Sequence, residues 1–81
     1  MRVTVRLFAR LRDITGTAER AHQVDGGATV RTVWNQLVGE FPDLRAYERS
    51  ISAAVNADYA PMTAALHDGD EVAFLPPVSG G

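Results

Sequence analysis

The chain has 81 residues, enough for one small domain, and its 46% hydrophobic and 22% charged residues are typical of globular rather than disordered chains. Its formal net charge of −2 argues against a nucleic-acid partner, which requires a concentrated basic face. Cysteine is absent, which excludes disulfides and Cys-type metal sites, and all basic residues are arginine, which excludes Schiff-base lysines. No run approaches the roughly 20 apolar residues of a membrane span, and the N-terminus lacks a signal-peptide pattern, so we expect a cytoplasmic protein without a membrane partner.

The first third of the chain predicts two strands around a helical turn. Residues 2–8 alternate between apolar and polar side chains, as in a half-buried strand, with Phe8 on the face opposite Val3, Val5 and Leu7. Residues 9–14 predict one or two helical turns, and a weaker strand follows around residues 19–24.

The middle of the chain predicts one amphipathic helix. Thr29 occupies the position of an N-cap, and Phe41-Pro42 ends the helix because a residue before proline is disfavoured in the α region. Apolar residues at spacings of three and four form one stripe, which places Trp34 in the core: Val30, Val33, Trp34, Leu37, Val38 and Phe41.

The last third predicts three more strands. Residues 43–50 are polar and are expected to be irregular, and residues 51–56 alternate as a strand. Residues 59–62 form a short strand that Pro61 assigns to a sheet edge. A turn at residues 68–70 then leads into a final strand at residues 71–75.

This order predicts an α+β fold of the β-grasp (ubiquitin-like) type, with a mixed sheet of about five strands packed on one main helix. Because one helix covers only one face of a sheet, Phe8 and Leu75 are expected to point outward from the other face. Two large apolar residues on one solvated face raise the hypothesis of a protein partner, but scattered surface hydrophobic residues are common, and taken alone that interpretation is favoured.

The chain ends in an extended tail, residues 76–81, that reaches on the order of 20 Å beyond the last strand. Its residues are Pro76, Pro77, Val78, Ser79, Gly80 and Gly81. A terminal glycine carboxylate enters a narrow tunnel that any Cβ would obstruct. The carboxylate is ionised at neutral pH and resists nucleophiles, so a partner enzyme must activate it. The chain itself has neither of the nucleotide-binding motifs GxGxxG and GxxxxGK[ST]. The alternative to a functional tail is an ordinary frayed chain terminus.

The histidines and the acidic turn carry weaker signals. His22 and His67 have no ligand spacing around them, so we expect surface histidines and no metal site. Asp68-Gly69-Asp70 lacks the rest of an EF-hand loop and predicts a tight turn. Ser79 has no evident base, which argues against a hydrolase.

The sequence resembles the small, sulfur-carrier subunit of molybdopterin synthase, the MoaD family. The resemblance is carried by residues 53–56 (AAVN), residues 66–81 (LHDGDEVAFLPPVSGG) and the segment LFARLRD at residues 7–13. It implies that an ATP-dependent activating enzyme adenylates Gly81 and that sulfur then gives a thiocarboxylate. It also implies a large catalytic subunit, in a heterotetramer, where this sulfur converts cyclic pyranopterin monophosphate to molybdopterin. No bound cofactor is expected.

The same resemblance assigns residues to each step. Gly80 and Gly81 match the reactive end, and the family's hydrophobic docking surface falls on Phe8, Tyr59 and Leu75, with residues 76–79 as the inserting tail.

Three other functions stay open at this stage. A sulfur carrier for another product, such as the thiamine thiazole, shares the fold and the Gly-Gly end. A ubiquitin-like modifier joined to lysines through Gly81 uses the same tail. A plain β-grasp binding module needs no reactive tail at all.

Overall fold

The computed structural model describes residues 1–77. The elements follow in chain order as five strands, two α-helices and one 3-10 helix: β1 (Arg2–Leu7), α1 (Arg10–Thr15), β2 (Glu19–Gln23), α2 (Val30–Glu40), the 3-10 helix (Pro42–Tyr47), β3 (Ser52–Val55), β4 (Asp58–Ala60) and β5 (Glu71–Leu75). No helix within residues 1–77 has the length and apolar character needed to cross a bilayer.

One mixed sheet contains all five strands, in the spatial order β2-β1-β5-β3-β4. The central pair, β1 and β5, is parallel, and the other three pairs are antiparallel. The first and last strands of the chain, β1 and β5, are therefore neighbours in the sheet, and the residues between them form the crossover connection. The edge position predicted for the strand near Pro61 is confirmed, although β4 ends one residue before that proline.

Helix α2 covers one face of this sheet and supplies much of the core. Thr29 caps it as predicted, because its side chain accepts from the Thr32 backbone while the Thr32 side chain accepts from the Thr29 backbone. Trp34 packs against Phe74 of β5, with ring centroids 5.2 Å apart. The fully buried side chains from the central strands and α2 are Val3, Val5, Leu7, Val30, Val33, Trp34, Leu37, Val72 and Phe74.

The expectation of an irregular segment at residues 43–50 was wrong in its first half. A 3-10 helix occupies Pro42–Tyr47, with proline in its first turn, where a missing N–H costs nothing. Its single buried residue, Leu44, is completely shielded from solvent. Phe41, Leu44 and Tyr47 recur at a spacing of three and pack on the core, a 3-10 period that the expectation of an irregular segment overlooked.

The expectation of a surface position for His22 was also wrong. His22 is only 9% exposed and lies opposite Val3 on the helix-facing side of β2. Its Nδ1 lies 3.1 Å from Gln36 Oε1 on α2, and the neighbouring inward residue, Arg20, donates to Glu40 Oε1 at 2.8 Å. These two polar contacts join the edge strand to the helix. His67 is exposed, as predicted.

A network of hydrogen bonds closes the end of the sheet where β5 begins. The predicted turn at residues 68–70 is present, with Gly69 at φ +87°, a conformation that favours glycine. Asp70 Oδ1 accepts from Asn56 Nδ2 at 2.9 Å, and its Oδ2 accepts from the His67 backbone N–H at 2.8 Å. Asn56 Oδ1 in turn accepts from the Glu71 backbone N–H. The carboxylate thereby links the 68–70 turn to the hairpin between β3 and β4.

We expect Asp70→Asn to lower stability at neutral pH by up to about 1 kcal/mol, because an amide cannot accept from both donors. The hydrogen bonds from Asn56 and then from the His67 backbone hold the pKa of Asp70 below its ordinary value. Its contribution is complete above the unfolded pKa of about 3.9 and is lost as pH falls through the lower folded pKa. Urea unfolding should show the stabilities of the two proteins converging as the pH falls through the lowered pKa of Asp70. A constant gap at every pH would contradict this role.

The turn between β3 and β4 is strained at an alanine. Asn56 and Ala57 have φ of +50° and +73°, as in a type I′ hairpin turn, in which Asn-Gly is the preferred pair. We expect Ala57→Gly to stabilise the fold by about 0.5 kcal/mol, since relief of the left-handed strain exceeds the entropy that glycine adds to the unfolded chain. Ala46→Gly, in the 3-10 helix, should destabilise instead, and thermal unfolding of both variants tests the pair. A lower thermal unfolding midpoint for Ala57→Gly than for the unmodified chain would contradict the claim that Ala57 is strained.

A candidate docking face beside the tail

The face of the sheet that α2 leaves uncovered carries the residues singled out in the sequence. Directly paired residues share a face, so the register places Tyr59 beside Ala54, Ala54 beside Ala73, and Ala73 beside Arg6. Ser52 pairs with Leu75 one row nearer the tail. The docking face is defined by these apolar and small residues: Phe8, Ser52, Ala54, Tyr59, Ala73 and Leu75.

Two aromatic side chains mark the ends of the docking face. Phe8 is 38% exposed and Tyr59 is 82% exposed, and they are the large hydrophobic residues that stand out from the surface of residues 1–77. Between them lie alanines and a serine, with Leu75 half-buried. Because small residues lie between two exposed rings, the surface is shallow in the middle and protrudes at both ends. This shape suits contact with a complementary protein surface.

Arg6 supports Phe8 from within the same face, a role that alternation alone did not reveal. Its guanidinium carbon lies 5.6 Å from the centre of the Phe8 ring, and its Nη1 lies 3.9 Å from Glu71 Oε1. The ion pair is solvent-exposed and contributes little to stability, but the cation holds one side of the ring. Apart from this pair, the docking face offers apolar contact rather than acid–base chemistry.

An open groove of about 410 Å³ extends the docking face around the edge strand β4. Tyr59 forms a wall of both surfaces, and Met62 and Ile51 supply apolar sides to the groove. No sequence pattern indicates this groove, because its lining comes from separate segments whose proximity depends on the pairing of β3 with β4.

The tail leaves the sheet next to the docking face. Strand β5 ends at Leu75, and Pro76 is half-buried while Pro77 is exposed. Neither proline has an N–H for a sheet ladder, so pairing stops here. Because β1 and β5 are parallel and Leu7 pairs with Phe74, Phe8 lies at the same end of the sheet as the tail. The predicted tail positions Val78, Ser79, Gly80 and Gly81 lie outside the described residues.

The other candidate sites of the sequence remain apart from this face. Within residues 1–77, no three histidine or acidic side chains come together in a way that holds a metal ion. His22 packs against α2, and His67 lies near Asp70 at the opposite end of the sheet.

Solved structures with the same fold come from archaea and bacteria. SAMP1 from Haloferax volcanii superposes with a TM-score of 0.85 at 34% identity, over 100% of both chains. A chain of the BexX/CysO complex from Amycolatopsis orientalis gives a TM-score of 0.72 at 28% identity, covering 98% of this chain and 99% of that one. The β-grasp fold predicted from the element order is therefore confirmed.

Curated relatives match along nearly the whole chain. The molybdopterin synthase sulfur carrier subunit of Mycobacterium tuberculosis is 37% identical, covering 100% of this chain and 99% of the relative. That of Arabidopsis thaliana is 34% identical, covering 98% and 82%. Small archaeal modifier protein 1 of Haloferax volcanii is 36% identical, covering 94% and 97%.

The family comparison reaches the predicted reactive end. The sequence pattern of the ThiS family matches residues 5–81, a range that takes in Phe8, Tyr59, Leu75 and the Gly80-Gly81 end. With the fold and the relatives in agreement, the resemblance to the MoaD sulfur carriers is confirmed, and the chain belongs to the ThiS family of ubiquitin-like β-grasp proteins.

Proposed function

We propose that this chain is the sulfur carrier of a molybdopterin synthase. In this proposal an ATP-dependent activating enzyme adenylates Gly81, sulfur replaces the adenylate to give a thiocarboxylate, and the tail delivers that sulfur within the large catalytic subunit. The acceptor is cyclic pyranopterin monophosphate and the product is molybdopterin. Two carriers and two large subunits form the working heterotetramer.

The parallel pairing of β1 with β5 is the observation that supports this function most strongly. It brings the exposed ring of Phe8 and the departing tail to the same end of the sheet. A partner that binds the docking face therefore receives the tail without a change in the body of the carrier. Residues 76–81 span on the order of 20 Å when extended, which reaches a reaction centre buried below a partner's surface.

The chemistry assigned to Gly81 follows from the properties of a carboxylate. At neutral pH it is ionised, and a nucleophile does not displace oxide from it. When a carboxylate oxygen attacks the α-phosphorus of ATP, pyrophosphate leaves and a mixed anhydride forms. A sulfur nucleophile then displaces AMP, so the carbonyl carbon exchanges an oxygen for sulfur. Glycine offers no Cβ to obstruct either enzyme, and a chain without cysteine holds its sulfur on the backbone.

The relatives also support a second candidate, in which the loaded end serves another acceptor. One relative is a small archaeal modifier protein, and one structural neighbour is CysO in complex with BexX. As a protein modifier, the chain would join acceptor amines through Gly81. Since it has no lysine of its own, it would not extend into lysine-linked polymers of itself.

We expect deletion of Gly81 to abolish loading while leaving the fold intact, because the described core ends at β5. The experiment incubates the chain with activating enzyme, ATP and a sulfur source, and follows intact mass. The full chain should exchange one oxygen for sulfur and the truncated chain should not. One alanine added after Gly81 is the matched control that keeps the glycines but moves the carboxylate, and it should also fail. Loading of the truncated chain would refute the proposal, whereas conjugates on lysines of other proteins would favour the modifier.

We expect Phe8→Ala to weaken binding to the large subunit about tenfold, since the truncation removes an exposed aromatic anchor worth more than 1 kcal/mol. Thermal stability should change little, because the ring lies outside the core. Calorimetric titration measures the affinity. Arg31→Ala, on the exposed side of α2, serves as the control and should bind like the unmodified chain. Equal affinity of the Phe8→Ala variant and the control would remove Phe8 from the interface.

A further inference from the structure

The turn that follows β1 is built on an alanine in a conformation that alanine rarely adopts. Ala9 has φ +51° and ψ −127°, the values of the first central position of a type II′ turn, where glycine is the usual residue. The Leu11 N–H donates to the Phe8 carbonyl at 3.1 Å and closes the turn. This strained residue comes directly after the aromatic residue of the docking face.

Two buried anchors hold the strained turn in place. Leu7, directly before the turn, is 1% exposed, and Leu11, its last residue, is completely buried. The chain is therefore fixed in the core on both sides of Ala9. The Leu7 N–H also donates to the Ala18 carbonyl at 2.9 Å, and the Asp13 N–H donates to the Ala9 carbonyl at 3.2 Å. Strain of this kind persists only where the surrounding structure determines the conformation, and it concentrates at functional positions.

The turn determines where the Phe8 ring can lie. If residue 9 continued in extended conformation, β1 would lengthen and Leu11 would leave the core. With Ala9 at positive φ the chain reverses after Phe8, the Phe8 carbonyl is held by Leu11, and the ring stays over Arg6. The ring therefore remains at the end of the sheet where β5 ends.

We infer that Ala9 is a positioning residue: its positive-φ backbone holds Phe8 in the orientation that the large subunit binds. This inference rests on the docking role proposed above for Phe8. A residue that cannot adopt positive φ lowers the fraction of carriers with a correctly placed ring, and the apparent Kd rises by the inverse of that fraction. In this inference the backbone conformation of Ala9, and not its methyl group, positions the Phe8 ring.

A double-mutant cycle tests the inference, with Ala9→Val as the first substitution because β-branched residues strongly disfavour positive φ. We expect it to raise the Kd for the large subunit about fivefold, while Ala9→Gly stays within about twofold of the unmodified chain. In a Phe8→Ala background the valine should cost no further affinity. Ala57→Val imposes a similar backbone strain at the far end of the sheet, and it should lower stability without changing the Kd.

The outcomes separate this inference from the proposed function. If valine weakens binding equally with and without the Phe8 ring, or if Ala57→Val weakens it as much, the positioning role is refuted while the docking role stands. If Phe8→Ala alone binds normally, the proposed docking role fails first. A measurement on the unmodified chain covers the case in which Ala9→Val does not fold: the Leu11 amide, which closes the turn, should exchange slowly with solvent. Exchange at the rate of an unstructured peptide would overturn the inference.

Discussion

The parallel pair at the centre of the sheet governs the rest of this structure. Strands β1 and β5 lie side by side and run in the same direction, so the chain between them must cross over the sheet, and α2 is the main element of that crossover. Their inward side chains, Val5, Val72 and Phe74 among them, are completely buried against α2, and each contributes about 1.5–3 kcal/mol from burial. The same pairing places the end of β1 and the end of β5 at one end of the sheet. The parallel pairing of β1 with β5 therefore both completes the core and places the docking face next to the tail.

The uncovered face combines close packing in its middle with exposed aromatic side chains at its ends. Its middle is built from alanines that pack closely with their neighbours, so that Ala54 is buried although it lies outside the core cluster. The large side chains stand at the ends, where Phe8 follows β1 and Tyr59 lies on the short edge strand β4. Pro61, directly after β4, limits further pairing at that edge. The face therefore exposes side chains to solvent, while the backbone at its β4 edge is poorly placed to pair with a further strand.

Most of the architecture could be predicted because it depends on local patterns. Alternation around Val5 predicts a strand, and apolar residues at spacings of three and four around Trp34 predict a helix. Thr29 is a preferred capping residue, so the start of that helix could also be predicted. Phe8 and Leu75 followed from alternation, whereas Tyr59 came only from the family resemblance.

The missed features depend on contacts between distant segments. The 3-10 helix that carries Leu44 packs against α1 and α2. His22 is buried beside Gln36 because β2 pairs with β1 under α2. No sequence pattern indicates the support that Arg6 gives to Phe8. The positive φ of Ala9 is likewise hidden, since alanine carries no preference for positive φ. Tertiary anchoring at Leu7 and Leu11 overrides local preference there.

Amide chemical shifts of the labelled carrier, recorded as the large subunit is added, test the central claim most directly. The amides of the docking face and of residues 78–81 should be perturbed together, whereas those on the exposed side of α2 around Arg31 and Asn35 should not. Perturbation centred on α2, with the docking face unchanged, would contradict the claim that one end of the parallel pair presents both the binding surface and the tail.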